Sequence, residues 1–153
     1  MSEPEKNIHA SCVAIGTKGV LLLGPSGAGK SDLALRLIDD GAQLVADDRT
    51  ILFLDKGALW ARPPATIRGL IEIRGVGIAK MPARTRVKIA LVVKLGEEGM
   101  RLPVHRPWKS PLKGAAPVPQ ITLDAHYAST PAKIRVALKA FAKDLFRSTF
   151  NPK

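Results

Sequence analysis

"GPSGAGKS", residues 24–31, follows the apolar run "VLLL" (20–23) and precedes "KSDLALRLIDD" (30–40), in which Leu33 with Leu37 and Ala34 with Ile38 recur at helical spacing. Strand, glycine-rich loop and helix in that order form the setting in which G-x-x-x-x-G-K-[ST] grips phosphate. Gly24, Gly29, Lys30 and Ser31 satisfy the pattern in full. Its glycines let bare backbone wrap a phosphate with φ values that side chains forbid. The loop Gly24, Pro25, Ser26, Gly27, Ala28 and Gly29 then turns its N–H groups inward, reinforced by the positive end of the helix that starts near Lys30. Lys30 is expected to reach the β- and γ-phosphates, and the Ser31 hydroxyl to ligate Mg²⁺.

Carboxylates follow at a useful distance. "QLVADD" (43–48) is a short apolar strand ending in Asp47 and Asp48. In an α/β sheet the carboxyl end of a strand faces the same crevice as a phosphate loop. Side chains of adjacent strand residues point to opposite faces, so the two acids divide the work. One is expected to meet Mg²⁺ and the other to take a proton from an incoming hydroxyl, the bland alternative being a solvent-exposed Asp-Asp turn at a strand end. No N-K-x-D motif of the GTPase kind follows, and the basic stretch 96–113 can imitate the lid of a nucleoside monophosphate kinase. On the residues alone, the chemistry is Mg²⁺-dependent phosphoryl transfer from a nucleotide.

Composition sets the bounds. A chain of 153 residues, 46% hydrophobic, fits a single domain over 1–153 that buries a core without staples. No window approaches the roughly 20 apolar residues of a membrane span, and "MSEPEKNIHA" has no apolar h-region, so a cytoplasmic protein is expected. Cys12 is the lone cysteine, fits a reducing compartment, and sits in "SCVAI" as a core thiol. A net charge of +11 is a footprint that nucleic-acid binders often leave. Aromatic content of 5% leaves few stacking platforms, however, and nothing in the chain reads bases. The same surplus suits polyanionic nucleotides and an acidic protein partner.

Elsewhere, "HASCVAIG" and "GVLLLG" read as strands joined at hairpin spacing by "GTKG", and Gly41 closes the first helix. "TILFLDKGALWA" reads as a hairpin turning at Asp55-Lys56-Gly57, and "VKIALVVKL" (87–95) as a β-branched strand. Residues 62–85 read as loop, short strand, loop. Residues 96–120, with five prolines, read as one long mobile loop. The last helix opens at "STPAKI", with Thr130 as cap and Pro131 in the first turn. Its apolar face is Ile134, Leu138, Phe141 and Leu145, opposite a basic stripe of Arg135, Lys139, Lys143 and Arg147. That stripe is a solvated face, a docking surface for a protein partner or a neighbouring subunit, or, as a third option, a nucleic-acid groove.

Three segments in order, "IHASCVAI", "LVADD" and "GLIEIRGVGI" (69–78), together with the phosphate loop, resemble HPr kinase/phosphorylase over roughly residues 8–80. The chain resembles its catalytic domain in a short form. The resemblance implies an α/β fold, a P-loop kinase core of the phosphoenolpyruvate-carboxykinase type with a mixed sheet and flanking helices, and a hexamer. It implies ATP and Mg²⁺ as cofactors and HPr, the phosphocarrier of the sugar phosphotransferase system, as the protein phosphorylated on serine. It also implies roles: Asp47 as general base, Asp48 and Glu72 near the metal with Ser31, Arg74 on the transferring phosphoryl group, and His9 poised near the phosphates. Glu72 and Arg74, two apart on a strand, are expected to share a face. Where the family carries a late arginine-bearing "PxRPGRN"-like segment, this chain has "ITLDAHYASTPAKI" (121–134); kinase activity needs only the core, and reverse phosphorolysis beside it is left open by that departure. Two other readings remain: a small-molecule P-loop kinase, and a nucleotide-sensing regulatory module without catalysis.

Overall fold

Val20, Leu21 and Leu22 are all completely buried, so the strand that feeds the glycine loop is covered on both faces. This explains why it is apolar without alternation. The computed structural model of the chain describes residues 4–146. Its elements in order are β1 (Glu5–Ile8), β2 (Ala10–Ile15), β3 (Lys18–Leu23), α1 (Lys30–Asp39), β4 (Gln43–Ala46), β5 (Thr50–Asp55), β6 (Ala58–Arg62), a 3₁₀ turn (Ala65–Ile67), β7 (Leu70–Ile73), β8 (Gly77–Lys80), β9 (Val87–Leu95), β10 (Pro107–Trp108), β11 (Val118–Leu123) and α2 (Thr130–Ala142).

One mixed sheet of nine strands runs β1-β5-β6-β9-β3-β2-β4, with β11 on β9 and β10 on β11; β7 and β8 form a separate hairpin. β3 and β11 both run parallel to β9, whereas β2 pairs antiparallel with β3 and β4. One face carries Val13, Leu22, Leu91 and Val93 against Leu33 and Leu37 of α1 and Ile134 and Leu138 of α2. On the other, the curling sheet brings Leu52, Leu59 and Ala61 against Cys12, Leu21 and Val92, with Leu112 and Val118 added. Cys12 is fully buried, and that burial pushes its thiol pKa up, so it is a packed core group. Among the described residues no helix is long and apolar enough to cross a membrane.

The turns form where their chemistry requires them. Lys56 and Gly57 adopt φ of 54° and 79°, the two left-handed residues of a tight hairpin. Gly41, at φ 110°, ends α1.

Four expectations need correction. The stretch 62–85 holds a two-stranded hairpin rather than one strand; β8 escapes a pattern search because Gly77, Ile78 and Lys80 are all exposed. The stretch 96–120 is not all loop, since β10 lies within it and β11 begins at Val118. Pro119 is tolerated there because the ladder with β9 starts only at Gln120. Thr130 does not cap α2: Ser129 holds that position, and the Thr130 hydroxyl donates to the Asp124 carbonyl at 2.5 Å. Leu145 lies beyond the helix, which stops as Asp144 turns to φ 52°, and it is exposed. The basic stripe also divides. Arg135 donates to the Asp40 carboxylate (3.2 Å) and to the last carbonyls of α1, which bear its negative dipole end, while Lys139 and Lys143 stay exposed. Arg147 lies outside the described residues.

Close approach of β3 to β9 is written into Gly19, where a Cβ would stand 2.6 Å from Val87 Cγ1 and 2.8 Å from the Lys88 carbonyl oxygen. Gly19→Ala is therefore expected to lose about 1–3 kcal/mol of stability, read as a lower urea midpoint at unchanged slope.

Candidate active site

Four separate segments meet at a cleft of about 500 Å³: the Gly24–Ser31 loop, Asp47 and Asp48, Glu72 through Arg74, and Ala125 with His126. The loop is built as its glycines demand, with Gly27 and Gly29 at φ 86° and 99° and the Ala28 N–H donating to the Pro25 carbonyl. Lys30 is buried, and its ammonium donates to the carbonyls of Gly24 (2.7 Å) and Pro25 (3.1 Å). Burial lowers its pKa from the ordinary lysine value, and the negative charges of Asp48 and Asp47 oppose that shift. Both carboxylates thus act electrostatically on the lysine.

Asp47 is nearly inaccessible, at 8% exposure. One carboxylate oxygen accepts from the Ser31 hydroxyl at 2.6 Å and from the Ser11 hydroxyl at 3.1 Å, and the other accepts the Glu72 backbone N–H at 3.1 Å. A single side chain therefore ties the loop, β2 and β7 together. Asp48 differs in every respect. It stands at φ 70°, a left-handed conformation that costs energy for a residue with a Cβ. Its N–H donates to Ser11 Oγ (2.9 Å), and its exposed carboxylate meets His9 Nε2 at 2.6 Å. Opposite faces for the two acids, expected from strand geometry, come here from this turn just past the end of β4.

Glu72 and Arg74 both line the cleft, but they do not share a strand face. β7 ends at Ile73, so Arg74 is the first residue of the turn to β8. Both are exposed. Pro25, Ser26 and Gly27 are exposed at the loop's outer side, with Gly24, Ala28, Gly29 and Ser31 half-buried beneath.

Sequence reasoning missed four participants. Ser11 is fully buried and touches both aspartates; its only signal was a hydroxyl inside the apolar "ASCVAI". Arg36 on α1 donates to the Ala125 and Tyr127 carbonyls and holds the loop after β11 beside the glycine loop. Ala125 and His126 enter the cleft on that loop, and nothing local in the sequence announces it.

Among the described residues no three His, Cys, Asp or Glu side chains gather as a metal cage. The available donors, a serine hydroxyl and carboxylates, are hard oxygens. Mg²⁺ is ordinarily held by one or two such groups together with substrate phosphates rather than by a full protein cage. The residues present fit that ion.

The chain is similar in sequence and in fold to known proteins. Among curated proteins, HPr kinase/phosphorylase of Streptococcus thermophilus is 48% identical over 73 residues, 47% of this chain and 24% of the relative. The protein of the same name from Streptococcus gordonii also matches at 48% over 73 residues. The match thus spans about a quarter of the length of these relatives. Among solved structures, the HPr(Ser) kinase/phosphatase of Coxiella burnetii superposes with a TM-score of 0.76 at 27% identity, covering 91% of this chain and 97% of that one. The model of the HPr serine kinase C-terminal domain matches residues 2–100, and with well over half of its length inside that match the chain belongs to this family.

Proposed function

We propose that this chain is a cytoplasmic kinase that moves the terminal phosphoryl group of ATP to a serine hydroxyl of HPr. Its core is of the P-loop type related to phosphoenolpyruvate carboxykinase. The observation that carries the reading is the unequal pair Asp47 and Asp48 beside Lys30, one saturated and buried, the other exposed and backed by a histidine.

That inequality favours an exchange of the two roles expected from sequence. A general base needs a lone pair facing the hydroxyl it deprotonates. Asp47 has its oxygens engaged by Ser11, Ser31 and the Glu72 N–H, so it suits holding Ser31 for the metal. The Asp48 carboxylate is open to solvent and, among the described residues, bonds to His9 alone, so it suits the base. Ser31, Asp47 and Glu72 are the residues that would hold Mg²⁺, which when bound neutralises phosphate charge.

The chain's own groups then act as follows. Backbone N–H groups of residues 24–31 and the Lys30 ammonium hold and orient the triphosphate. Asp48 accepts the proton of the serine hydroxyl, and His9 stabilises the acid so formed. The serine oxygen bonds to the γ-phosphorus as the bond from phosphorus to the bridging oxygen breaks, and ADP leaves. Arg74, which lines the cleft, is the residue we assign to the charge of the phosphoryl group in transit. Hexameric assembly belongs to the same proposal on the family resemblance, and light scattering of the purified chain measures it.

Transfer of ³²P from γ-labelled ATP to purified HPr, with HPr lacking its acceptor serine as control, tests the reading. Label on a small molecule instead would favour the small-molecule kinase. Asp48→Asn is expected to lower the rate at least a thousandfold, with Mg-ATP affinity within about threefold of wild type. Asp47→Asn is expected to weaken Mg²⁺-dependent nucleotide binding tenfold or more. The opposite pattern would restore Asp47 as the base. Lys30→Met is expected to raise the thermal midpoint or leave it unchanged, because a desolvated charge is removed, while ATP affinity falls more than a hundredfold in calorimetric titration.

A further inference from the structure

We propose that His126 is a ligand of the nucleotide's phosphate chain, presenting its Nε2 edge to the Gly24–Ser31 cradle and positioned by Asp124. The proposal rests on the reading of the cleft as a nucleotide site.

The imidazole lines the same cleft as the glycine loop and the two aspartates. Its Nε2 is 3.9 Å from the point where a Cβ on Gly29 would stand, and Ala125 Cβ is 3.0 Å from the same point. Gly29 is therefore glycine for two reasons: its φ of 99°, and the close seating of the 125–126 loop against it. An imidazole placed there meets whatever anion the neighbouring N–H groups hold.

Its orientation is fixed. Asp124 Oδ1 accepts both the His126 backbone N–H (2.8 Å) and ring Nδ1 (3.0 Å). Those two bonds hold the Asp124 carboxyl below the usual carboxylate range, the backbone N–H contributing most, so it stays ionised and keeps Nδ1 as a donor. Nε2 makes no hydrogen bond among the described residues and is the edge left for a ligand. In the imidazolium form it donates to a phosphate oxygen while Nδ1–H remains on Asp124.

The loop that carries the ring is fastened at several points. Arg36 from α1 donates to the Ala125 and Tyr127 carbonyls, the latter at 3.3 Å. Thr130 Oγ1 donates to the Asp124 carbonyl. The Asp124 N–H donates to Glu98 Oε2 (3.2 Å), and Glu98 in turn is bridged by Lys133 at 3.1 Å. So much restraint on an otherwise exposed loop, with one ring edge left over, is the geometry of a ligand held in readiness.

Calorimetric titration with Mg-ATP, Mg-ADP and inorganic phosphate tests this on wild type, His126→Ala and Asp124→Asn. His126→Ala is expected to weaken Mg-ATP about tenfold, the size of one charge-assisted hydrogen bond. Asp124→Asn is expected to weaken it by a smaller factor, about threefold, because the ring remains but loses its anchor. The three ligands show which phosphate is met: a loss for ATP but not ADP assigns the γ-phosphate, and a loss for all three assigns the loop's general anion site. Because the chain has three histidines, two-bond ¹⁵N–¹H spectra resolve the His126 Nε2 resonance, which is expected to move on adding ligand. His126→Ala within twofold of wild type for every ligand, or an unmoved resonance at saturation, would overturn the assignment. A wild-type chain that bound none of the three would overturn the nucleotide reading and this assignment with it.

Discussion

The cleft depends on one carboxylate. Asp47 accepts hydrogen bonds from Ser11 on β2, Ser31 at the start of α1 and the Glu72 backbone on β7. Those three elements are far apart in sequence, and among the described residues no other side-chain hydrogen bond joins them at the cleft. A carboxylate this buried is costly to desolvate and persists only when its oxygens are satisfied, so its partners and its position enforce one another. The glycine loop is thereby tied to β2 and β7 by hydrogen bonds within the protein itself, which is what preorganisation of a site requires.

Division of labour between adjacent acids follows from the same constraint. With Asp47 committed inward, the next residue must turn out, and it does so at φ 70°, a conformation that non-glycine residues adopt only where the surroundings hold them in it. Ser11 does much of that holding, since its hydroxyl donates to Asp47 and accepts the Asp48 N–H. The outcome is a solvent-facing carboxylate with a histidine 2.6 Å behind it, beside a buried lysine whose charge both acids support. A fold that gave the two acids the same burial and the same partners would give no ground for assigning them separate tasks.

Local chemistry was legible in the sequence and long-range placement was not. The phosphate loop, α1, β9 and the Asp55-Lys56-Gly57 turn declare themselves because each is fixed by residues within a few positions of one another. Glu72 was found, but Arg74 was placed on a strand that ends one residue earlier, the usual uncertainty at an element's edge. β8 and β11 were missed because an exposed hairpin arm has no buried face to alternate, and because a strand next to proline is recognisable only once its parallel partner is known. The different surroundings of Asp47 and Asp48 are not legible in "VADD" either, since what separates them is a left-handed turn and a serine on another strand. Arg135 reads as part of a basic stripe along a helix, yet its partners are the carbonyls at the end of α1.

The central claim is that Ser11 and Asp47 act as one unit in building the cleft. A double-mutant cycle on folding stability, with Ser11→Ala, Asp47→Asn and the double variant compared by urea unfolding, measures it most directly. The account predicts a coupling energy of about 1–2 kcal/mol, the double variant losing less than the sum of the singles. Additivity within about 0.3 kcal/mol would contradict it.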